Sequence, residues 1–255
     1  MILCFSGTGN SLYAAKELAR LTGDMAVSIA DIHGECHRIQ DRVMGIVFPV
    51  YFGDLPDPLR SFLQWVHFTK SAYFYAVATC GSTYGRSLRS VDRLLRQQDC
   101  QLSYAAVLPM IANSTIASRR HIQYPYAKLD RADEKIKTIA RDVQAQKKDT
   151  AAIHGSLMAA AMNIGFLRRL GNRWLTPSVD AAKCIGCGLC AQICPVRNIR
   201  LEPQGKAVIG KRCSQCLACV HWCPHQAVTV HGKSVLASDQ YHHPKISASD
   251  MLRRG

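Results

Sequence analysis

Apolar runs alternate with helical patterns over residues 1–146 of the chain. Five continuous apolar runs have the length of buried strands, and they cover residues 1–5, 25–29, 43–50, 71–79 and 103–110. In four further segments apolar residues recur at helical spacing, which predicts helices at 11–22, 58–66, 86–98 and 130–146. Continuous apolar strands separated by helices are typical of a parallel sheet covered on both faces. We therefore predict an α/β fold with a doubly wound parallel sheet.

Changes in composition divide the rest of the chain. Segment 151–177 is rich in alanine and methionine and then becomes basic and aromatic. It predicts a helical linker, with a helix lying on a membrane surface as the alternative. From residue 180 to 230 cysteine, glycine and proline dominate. We predict a first domain at 1–150, a small second domain at 178–232 and a poorly ordered basic tail at 233–255.

The cysteines carry the most specific pattern. Eight of the 12 cysteines lie between Cys184 and Cys223, in two copies of C-x₂-C-x₂-C-x₃-C-P. Three cysteines at this spacing hold three corners of one iron–sulfur cube, and the fourth ligates the other cluster. The pattern predicts one [4Fe–4S] cluster on Cys184, Cys187, Cys190 and Cys223, and a second on Cys213, Cys216, Cys219 and Cys194. Zinc is disfavoured because zinc sites usually pair C-x₂-C units across a longer loop.

Residues 180–231 resemble bacterial two-cluster ferredoxin domains, and both cysteine motifs match that family. So small a domain cannot build a large apolar core. We therefore expect apolar neighbours to pack around the clusters and exclude water. These neighbours are Ile185, Ile193, Ile199, Leu217 and Val228.

A glycine-rich turn, Ser6-Gly7-Thr8-Gly9-Asn10-Ser11, separates the first predicted strand from the first predicted helix. There, backbone N–H groups and a helix N-terminus favour an anion, typically phosphate. The turn lacks the G-K-S/T ending of a P-loop, and a leucine at position 12 excludes G-x-G-x-x-G. Two more loops follow the third and fourth strands, at 48–56 and 79–85. All three lie at the carboxyl ends of parallel strands, where open α/β sheets bind ligands.

Over residues 1–146 the pattern resembles flavodoxins, because S-G-T-G-N-S is similar to their FMN-phosphate loop. The resemblance implies strand order 2-1-3-4-5, stacking of Tyr51 or Phe52 on the flavin, and a backbone carbonyl near Gly53 that accepts a hydrogen bond from reduced flavin. The third loop departs from the family, since it carries Cys80, which we interpret as a small buried hydrophobe, and lacks acidic residues. The predicted flavin-binding residues are Ser6, Gly7, Thr8, Gly9, Asn10, Ser11, Pro49, Val50, Tyr51, Phe52, Gly53, Thr79, Cys80, Gly81, Ser82, Tyr84 and Gly85.

As a whole the chain resembles the flavodoxin–ferredoxin fusion proteins of bacterial and archaeal anaerobes. The resemblance implies electron transfer between FMN and two [4Fe–4S] clusters, which couples one-electron and two-electron carriers. No side chain is predicted to be catalytic. A flavin-dependent reductase of a small acceptor and a redox subunit of a larger complex remain as alternatives.

Charge and targeting signals bear on partners and location. The formal net charge is +14. Two clusters with their thiolates would remove about 4 positive charges and a phosphate about 2, leaving roughly +8. A solvated basic face and a docking face for an acidic redox protein both fit this excess, whereas no nucleic-acid motif accompanies it. No secretory signal and no apolar run of about 18 residues occurs, so we expect a cytoplasmic protein without a transmembrane segment.

Overall fold

The structure is a computed structural model, and it describes residues 1–32, 38–68, 73–118, 120–154 and 175–252. Its chain divides into two compact units. Of the described residues, the first unit holds those of 1–6, 10–111 and 125–154, and the second holds those of 7–9, 112–124 and 175–252. Most of the predicted linker, residues 155–174, lies outside the described residues, as does Cys36.

A five-stranded parallel sheet forms the centre of the first unit. Its strands are β1 (Ile2–Cys4), β2 (Ala26–Ser28), β4 (Val43–Pro49), β6 (Tyr73–Cys80) and β7 (Leu102–Pro109). They pair in the order β2-β1-β4-β6-β7. Counted along the chain within this sheet, the order is 2-1-3-4-5, which confirms the predicted fold class. Every residue of β6 is buried, as a strand covered on both faces requires.

Four helices cover the sheet, and all four were predicted to within a few residues. They are α1 (Asn10–Thr22), α2 (Asp57–Trp65), α3 (Ser87–Arg96) and α4 (Ala127–Gln144). Helix α1 packs against α4, and α2 packs against α3. A small parallel pair, β3 (Arg38–Ile39) with β5 (His67–Phe68), was not predicted. The five sheet strands are parallel, so the loops that follow β1, β4 and β6 lie at the same edge of the sheet.

The described part of the second unit contains two short antiparallel strand pairs and three one-turn helices. Strand β8 (Pro177–Val179) pairs with β11 (Val228–Val230), and β9 (Ile199–Leu201) pairs with β10 (Ala207–Ile209). Helices α5 (Leu189–Gln192) and α6 (Ala218–His221) each carry the third cysteine of one motif. The unit's apolar core also includes Ile116, from the segment that follows β7.

The C-terminal tail is packed, so the expectation of poor order was wrong for residues 233–252. Val235, Tyr241, His243 and Ile246 are all buried. The tail ends in a short helix, α7 (Ala248–Met251), which begins with a capping box between Ser247 and Asp250. Among the described residues, no helix is long and apolar enough to cross a membrane.

Candidate iron–sulfur centres and glycine-rich loop

Two cavities in the second unit are each lined by four cysteines. Cys184, Cys187 and Cys190 of the first motif line one cavity together with Cys223 of the second motif. Cys213, Cys216 and Cys219 line the other together with Cys194 of the first motif. The empty volumes of the cavities are similar, about 370 and 330 Å³. The chain therefore brings together the two sets of cysteines that the motif spacing predicts.

In each motif a backbone N–H group donates a hydrogen bond to the sulfur of the fourth cysteine. The amide of Asn198 donates to Cys194 Sγ at 3.3 Å, and the amide of Ala227 donates to Cys223 Sγ at the same distance. Both donors lie four residues after their acceptor, so the fourth cysteine of each motif has the same local geometry. Such hydrogen bonds stabilise negative charge on the sulfur and tune the potential of a bound cluster.

Left-handed backbone at matching positions shapes the two ligand loops. Gly186 and Gly188 of the first motif have φ of +74° and +76°. Their counterparts in the second motif, Gln215 and Leu217, have φ of +52° and +59°. The turn is therefore set by the cysteine spacing, with glycine in one copy and ordinary side chains in the other.

Four of the eight thiols, those of Cys190, Cys213, Cys216 and Cys219, have a raised pKa and are costly to ionise unless a cation is bound. Burial, together with repulsion from the neighbouring Cys194 and Cys213, raises the pKa of Cys216 to about 12. Burial likewise raises the pKa of Cys190 to about 11, with added repulsion from Cys223 and Cys187. A metal centre reverses this situation because its positive charge deprotonates the ligand thiols.

In the described part of the chain, no group of three or more His, Cys, Asp or Glu side chains is placed to hold one metal ion.

The apolar residues predicted to surround the clusters differ in how deeply they are buried. Ile193, Ile199, Leu217 and Val228 are all buried, as expected. Ile185 lines the first cavity but is 63% exposed, so this side chain is not packed in the core of the unit as expected.

The glycine-rich loop after β1 is held through its carbonyl groups. The carbonyl oxygen of Gly7 accepts the indole N–H of Trp222 at 3.2 Å, and that of Thr8 accepts the backbone N–H of His243 at 2.9 Å. In a trans peptide the carbonyl and the next N–H point in opposite directions, and no described peptide is cis. The N–H groups of Thr8 and Gly9 therefore face away from Trp222 and His243. Both N–H groups lie just before the N-terminus of α1, where an anion is favoured.

Two of the polar side chains predicted as ligand donors instead brace this loop. Asn10 donates its side-chain N–H to the carbonyl of Ile111 at 2.8 Å. The Ser11 hydroxyl lies 2.8 Å from the Thr79 hydroxyl, and the Thr79 hydroxyl donates to the carbonyl of Phe48. The first loop is thereby tied to the end of β6 and to the segment that follows β7.

The loop after β4 is a tight turn. Tyr51 and Asp54 form two backbone hydrogen bonds, with Phe52 and Gly53 between them at φ of +50° and +71°. Tyr51 and Phe52 are half-buried, and the Tyr51 ring meets Phe5 edge-on at 6.2 Å. The Gly53 carbonyl, predicted near a flavin, accepts the backbone N–H of Arg86 at 2.8 Å. A carbonyl has two lone pairs, so it keeps the capacity for one further donor.

Asp54 anchors this turn, and sequence reasoning missed it. Its carboxylate binds Arg60 and Arg86, each at 2.9 Å, and accepts the backbone N–H of Leu55 at 2.8 Å. Burial alone would raise the pKa of Asp54, but a hydrogen bond from Ser90, the Leu55 N–H and the two arginines outweigh it, so the pKa is lowered. No motif signals this network, because its members are far apart in sequence.

In the loop after β6, Thr79, Cys80 and Gly85 are buried and Ser82 is exposed. Burial raises the pKa of Cys80 to about 11 although Lys128 and Lys135 lower it. This agrees with a small buried hydrophobe. Lys128, a second residue that the sequence did not single out, donates to the carbonyl of Gly81 at 3.0 Å.

Comparison with known proteins identifies the cysteine-rich region. Residues 176–234 match the family model of the 4Fe-4S dicluster domain. A ferredoxin of Pyrobaculum islandicum is 35% identical to this chain over 52 residues, which are 20% of this chain and 49% of that protein. The chain thus spans about half the length of this curated relative.

Solved structures resemble somewhat more than half of the chain. A flavoprotein of Bacteroides uniformis covers 55% of this chain at 13% identity and a TM-score of 0.40, with 96% of its own length aligned. A flavodoxin of Streptococcus pneumoniae covers 57% at 14% identity and a TM-score of 0.39, with 97% of its length aligned. The fold of the first unit follows from its own strand order. A dicluster domain joined to a sheet of this order is consistent with a flavodoxin–ferredoxin fusion, and such domains imply electron transfer.

Proposed function

We propose that the protein transfers electrons between FMN and two [4Fe–4S] clusters. The observation that carries the proposal is the composition of the two cysteine-lined cavities. Each takes three cysteines from one motif and the fourth from the other. This exchange of the fourth ligand is the arrangement of two-cluster ferredoxins.

In this proposal the ligands of the first cluster are Cys184, Cys187, Cys190 and Cys223, and those of the second are Cys194, Cys213, Cys216 and Cys219. The fit is chemical as well as spatial. Four thiols line each cavity, and a positive charge would compensate the raised pKa of Cys190 in one and of Cys216 in the other. Backbone N–H groups stabilise the sulfurs of Cys194 and Cys223.

The N–H groups of Thr8 and Gly9 would hold the FMN phosphate, with the hydroxyls of Ser6 and Thr8 beside them. The loop contains no lysine or arginine, so phosphate binding would depend on peptide dipoles and on the N-terminus of α1. Tyr51 and Phe52 would contact the flavin ring, and Cys80, Gly81 and Tyr84 would line its other side. When bound, FMN exchanges up to two electrons and each cluster exchanges one.

The chain's own residues position the cofactors, exclude water and tune the cofactor potentials. Physiological exchange would take place with protein redox partners that present an acidic face, since the charge balance leaves the holoprotein basic. We place this activity in the cytoplasm.

Anaerobic purification followed by iron, sulfide and flavin analysis tests the proposal. We expect about eight irons per chain and FMN in stoichiometric amount. About four irons per chain, or zinc alone, would contradict the two-cluster assignment. Flavin-free protein should then bind FMN far more tightly than riboflavin, measured by fluorescence quenching, because the loop recognises phosphate. Equal affinity for the two flavins would show that the loop is not a phosphate site.

A further inference from the structure

Helix α3 presents a stripe of four arginines to solvent. Arg86, Arg89, Arg93 and Arg96 are spaced by three, four and three residues, which places them on one helical face. All four are exposed. The opposite face is fixed in the core by apolar side chains, namely Leu88, Val91, Leu94 and Leu95. The stripe therefore has a defined direction on a rigid element.

Half of this charge is not neutralised within the unit. Arg86 pairs with Asp54 at 2.9 Å, and Arg96 pairs with Asp92 at 2.6 Å. Arg89 and Arg93 form no ion pair with any residue that the structure describes. Both acidic partners are buried, so they leave the outer surface of the stripe basic. Together with Ser90 and Asp92, the four arginines line a surface groove with an empty volume of about 1000 Å³.

The excess of basic over acidic side chains on α3 is not shared by every surface helix, as α4 shows. Between Ala127 and Gln144 the helix has five basic and four acidic side chains. Lys137 there is paired with Glu134 at 2.7 Å. By contrast, α3 has three arginines and one aspartate, with Arg86 immediately before it. An isolated surface charge is common, but four in one line without acidic neighbours on the outer face are suited to long-range attraction.

The stripe begins at the proposed flavin site. Arg86 follows directly on the loop after β6, and its backbone N–H binds the carbonyl of Gly53 in the loop after β4. A partner held along α3 would therefore contact the sheet edge where both loops lie.

We propose that this arginine stripe is the docking surface for the acidic face of a second redox protein. The inference rests on the proposed electron-transfer function and names where the partner binds. Opposite charges steer two proteins into a productive encounter and raise the association rate at low ionic strength. Salt screens the effect over about 10 Å at 0.1 M, so electron transfer through this face slows as salt is added.

The test is stopped-flow electron transfer from the reduced holoprotein to an acidic plant-type [2Fe–2S] ferredoxin, at increasing sodium chloride. The double variant Arg89→Glu with Arg93→Glu should reduce the low-salt rate constant at least about tenfold and abolish its salt dependence. The matched control, Lys137→Glu with Arg141→Glu, makes the same change in net charge on α4 and should reduce the rate less than about twofold. Arg89→Lys with Arg93→Lys should keep most of the rate.

Equal losses in the two charge-reversed variants, or a wild-type rate that does not change with salt, would overturn the proposal. The proposal would also be overturned if the α3 variant lost binding to anionic phosphatidylserine vesicles but still bound the ferredoxin normally. Reduction of a neutral quinone is measured in parallel. A wild-type protein that lacks the cofactors refutes the proposed function itself. If a variant reduces the quinone normally but transfers electrons to the ferredoxin at an altered rate, only the docking surface has been affected.

Discussion

Trp222 donates its indole N–H to the carbonyl oxygen of Gly7 at 3.2 Å, across 215 positions of sequence. Trp222 lies directly before Cys223, a predicted cluster ligand, and Gly7 lies in the predicted phosphate loop. The backbone N–H of His243 holds the next carbonyl, that of Thr8. These contacts turn the N–H groups of Thr8 and Gly9 the other way. A residue of the cysteine motif thus helps to orient the loop that we propose for FMN.

Replacing Trp222 with phenylalanine should weaken FMN binding. The ring can still stack on His242, whose centroid lies 4.3 Å away, but the hydrogen bond to Gly7 is lost. A neutral hydrogen bond contributes roughly 0.5–1.5 kcal/mol, which corresponds to a roughly two- to tenfold loss of affinity. Fluorescence titration should show this loss for FMN, with riboflavin unaffected and the iron content unchanged.

Trp65→Phe makes the same chemical change on α2 and should leave the affinity for FMN unaltered. A Trp222→Phe protein that loses FMN and riboflavin affinity in equal measure would indicate a disturbed ring site, and the phosphate-loop explanation would then be wrong.

The two glycines of the first cysteine motif should respond differently to alanine. A side chain on Gly186 would collide with the backbone carbonyl of Gly205, whereas one on Gly188 would meet Leu201 at 3.6 Å and Gln192 at 3.9 Å, which are ordinary contact distances. Gln215 and Leu217 occupy the equivalent positions of the second motif, so the turn itself accepts a side chain at both, and the clash with Gly205 is what distinguishes Gly186. Gly186→Ala should therefore lower the iron content of anaerobically purified protein by about half, toward four irons.

Gly188→Ala is the matched control, since it adds the same methyl group at a similar φ of +76°. It should retain close to the full iron content and cost about 1 kcal/mol of stability through backbone strain. Full iron content in Gly186→Ala would show that the ligand loop can move away from Gly205, contrary to this account.

The sequence predicted the elements whose signals are local. The strands followed from uninterrupted apolar runs such as 43–50, whereas their order was implied by the resemblance to flavodoxins. The cysteine sets followed from a spacing that only a cubane pair explains. The tail was misjudged because its buried residues, Val235, Tyr241 and Ile246, follow neither a strand nor a helical period. The contact of Trp222 with Gly7 could not be predicted, because a single hydrogen bond between distant segments leaves no pattern in one sequence.

Asp54 should make a stability contribution that depends on pH. Its pKa is lowered in the folded protein, so the contribution is present above the unfolded value, about 3.9, and is lost as the pH falls through the folded value. Asp54→Asn should reduce the free energy of unfolding at pH 7 by roughly 1–3 kcal/mol, because a buried carboxylate with two arginine partners is replaced by a neutral group.

Urea unfolding followed by far-ultraviolet circular dichroism measures this effect, since the four long helices dominate that signal. The difference between wild type and Asp54→Asn should be constant from pH 6 to 8 and shrink below about pH 4. Glu134→Gln, which breaks an exposed pair with Lys137, should change stability by less than about 0.5 kcal/mol at any of these pH values. A difference that grows on acidification would contradict the lowered pKa of Asp54.

Exchange of the fourth ligand can be tested with one substitution in each motif. Cys194 lines the cavity of Cys213, Cys216 and Cys219, although it follows Cys190 by only four residues. Cys194→Ser should therefore perturb the cluster of the second motif, because serine replaces a thiolate ligand by a harder oxygen. Cys223→Ser should do the converse and perturb the cluster held by Cys184, Cys187 and Cys190.

Electron paramagnetic resonance of the reduced protein during a redox titration distinguishes the two clusters by their signals and potentials. Cys194→Ser should change the signal of the cluster held by Cys213, Cys216 and Cys219, and Cys223→Ser should change the signal of the other cluster. In each variant the cluster that is not altered should keep its wild-type potential. Cys100→Ser, at a buried cysteine in the first unit, should change neither signal. If both ligand variants altered the same cluster, the proposed ligand sets would be wrong. They would also be wrong if Cys194→Ser damaged only the cluster of its own motif, because each motif would then hold one cluster by itself.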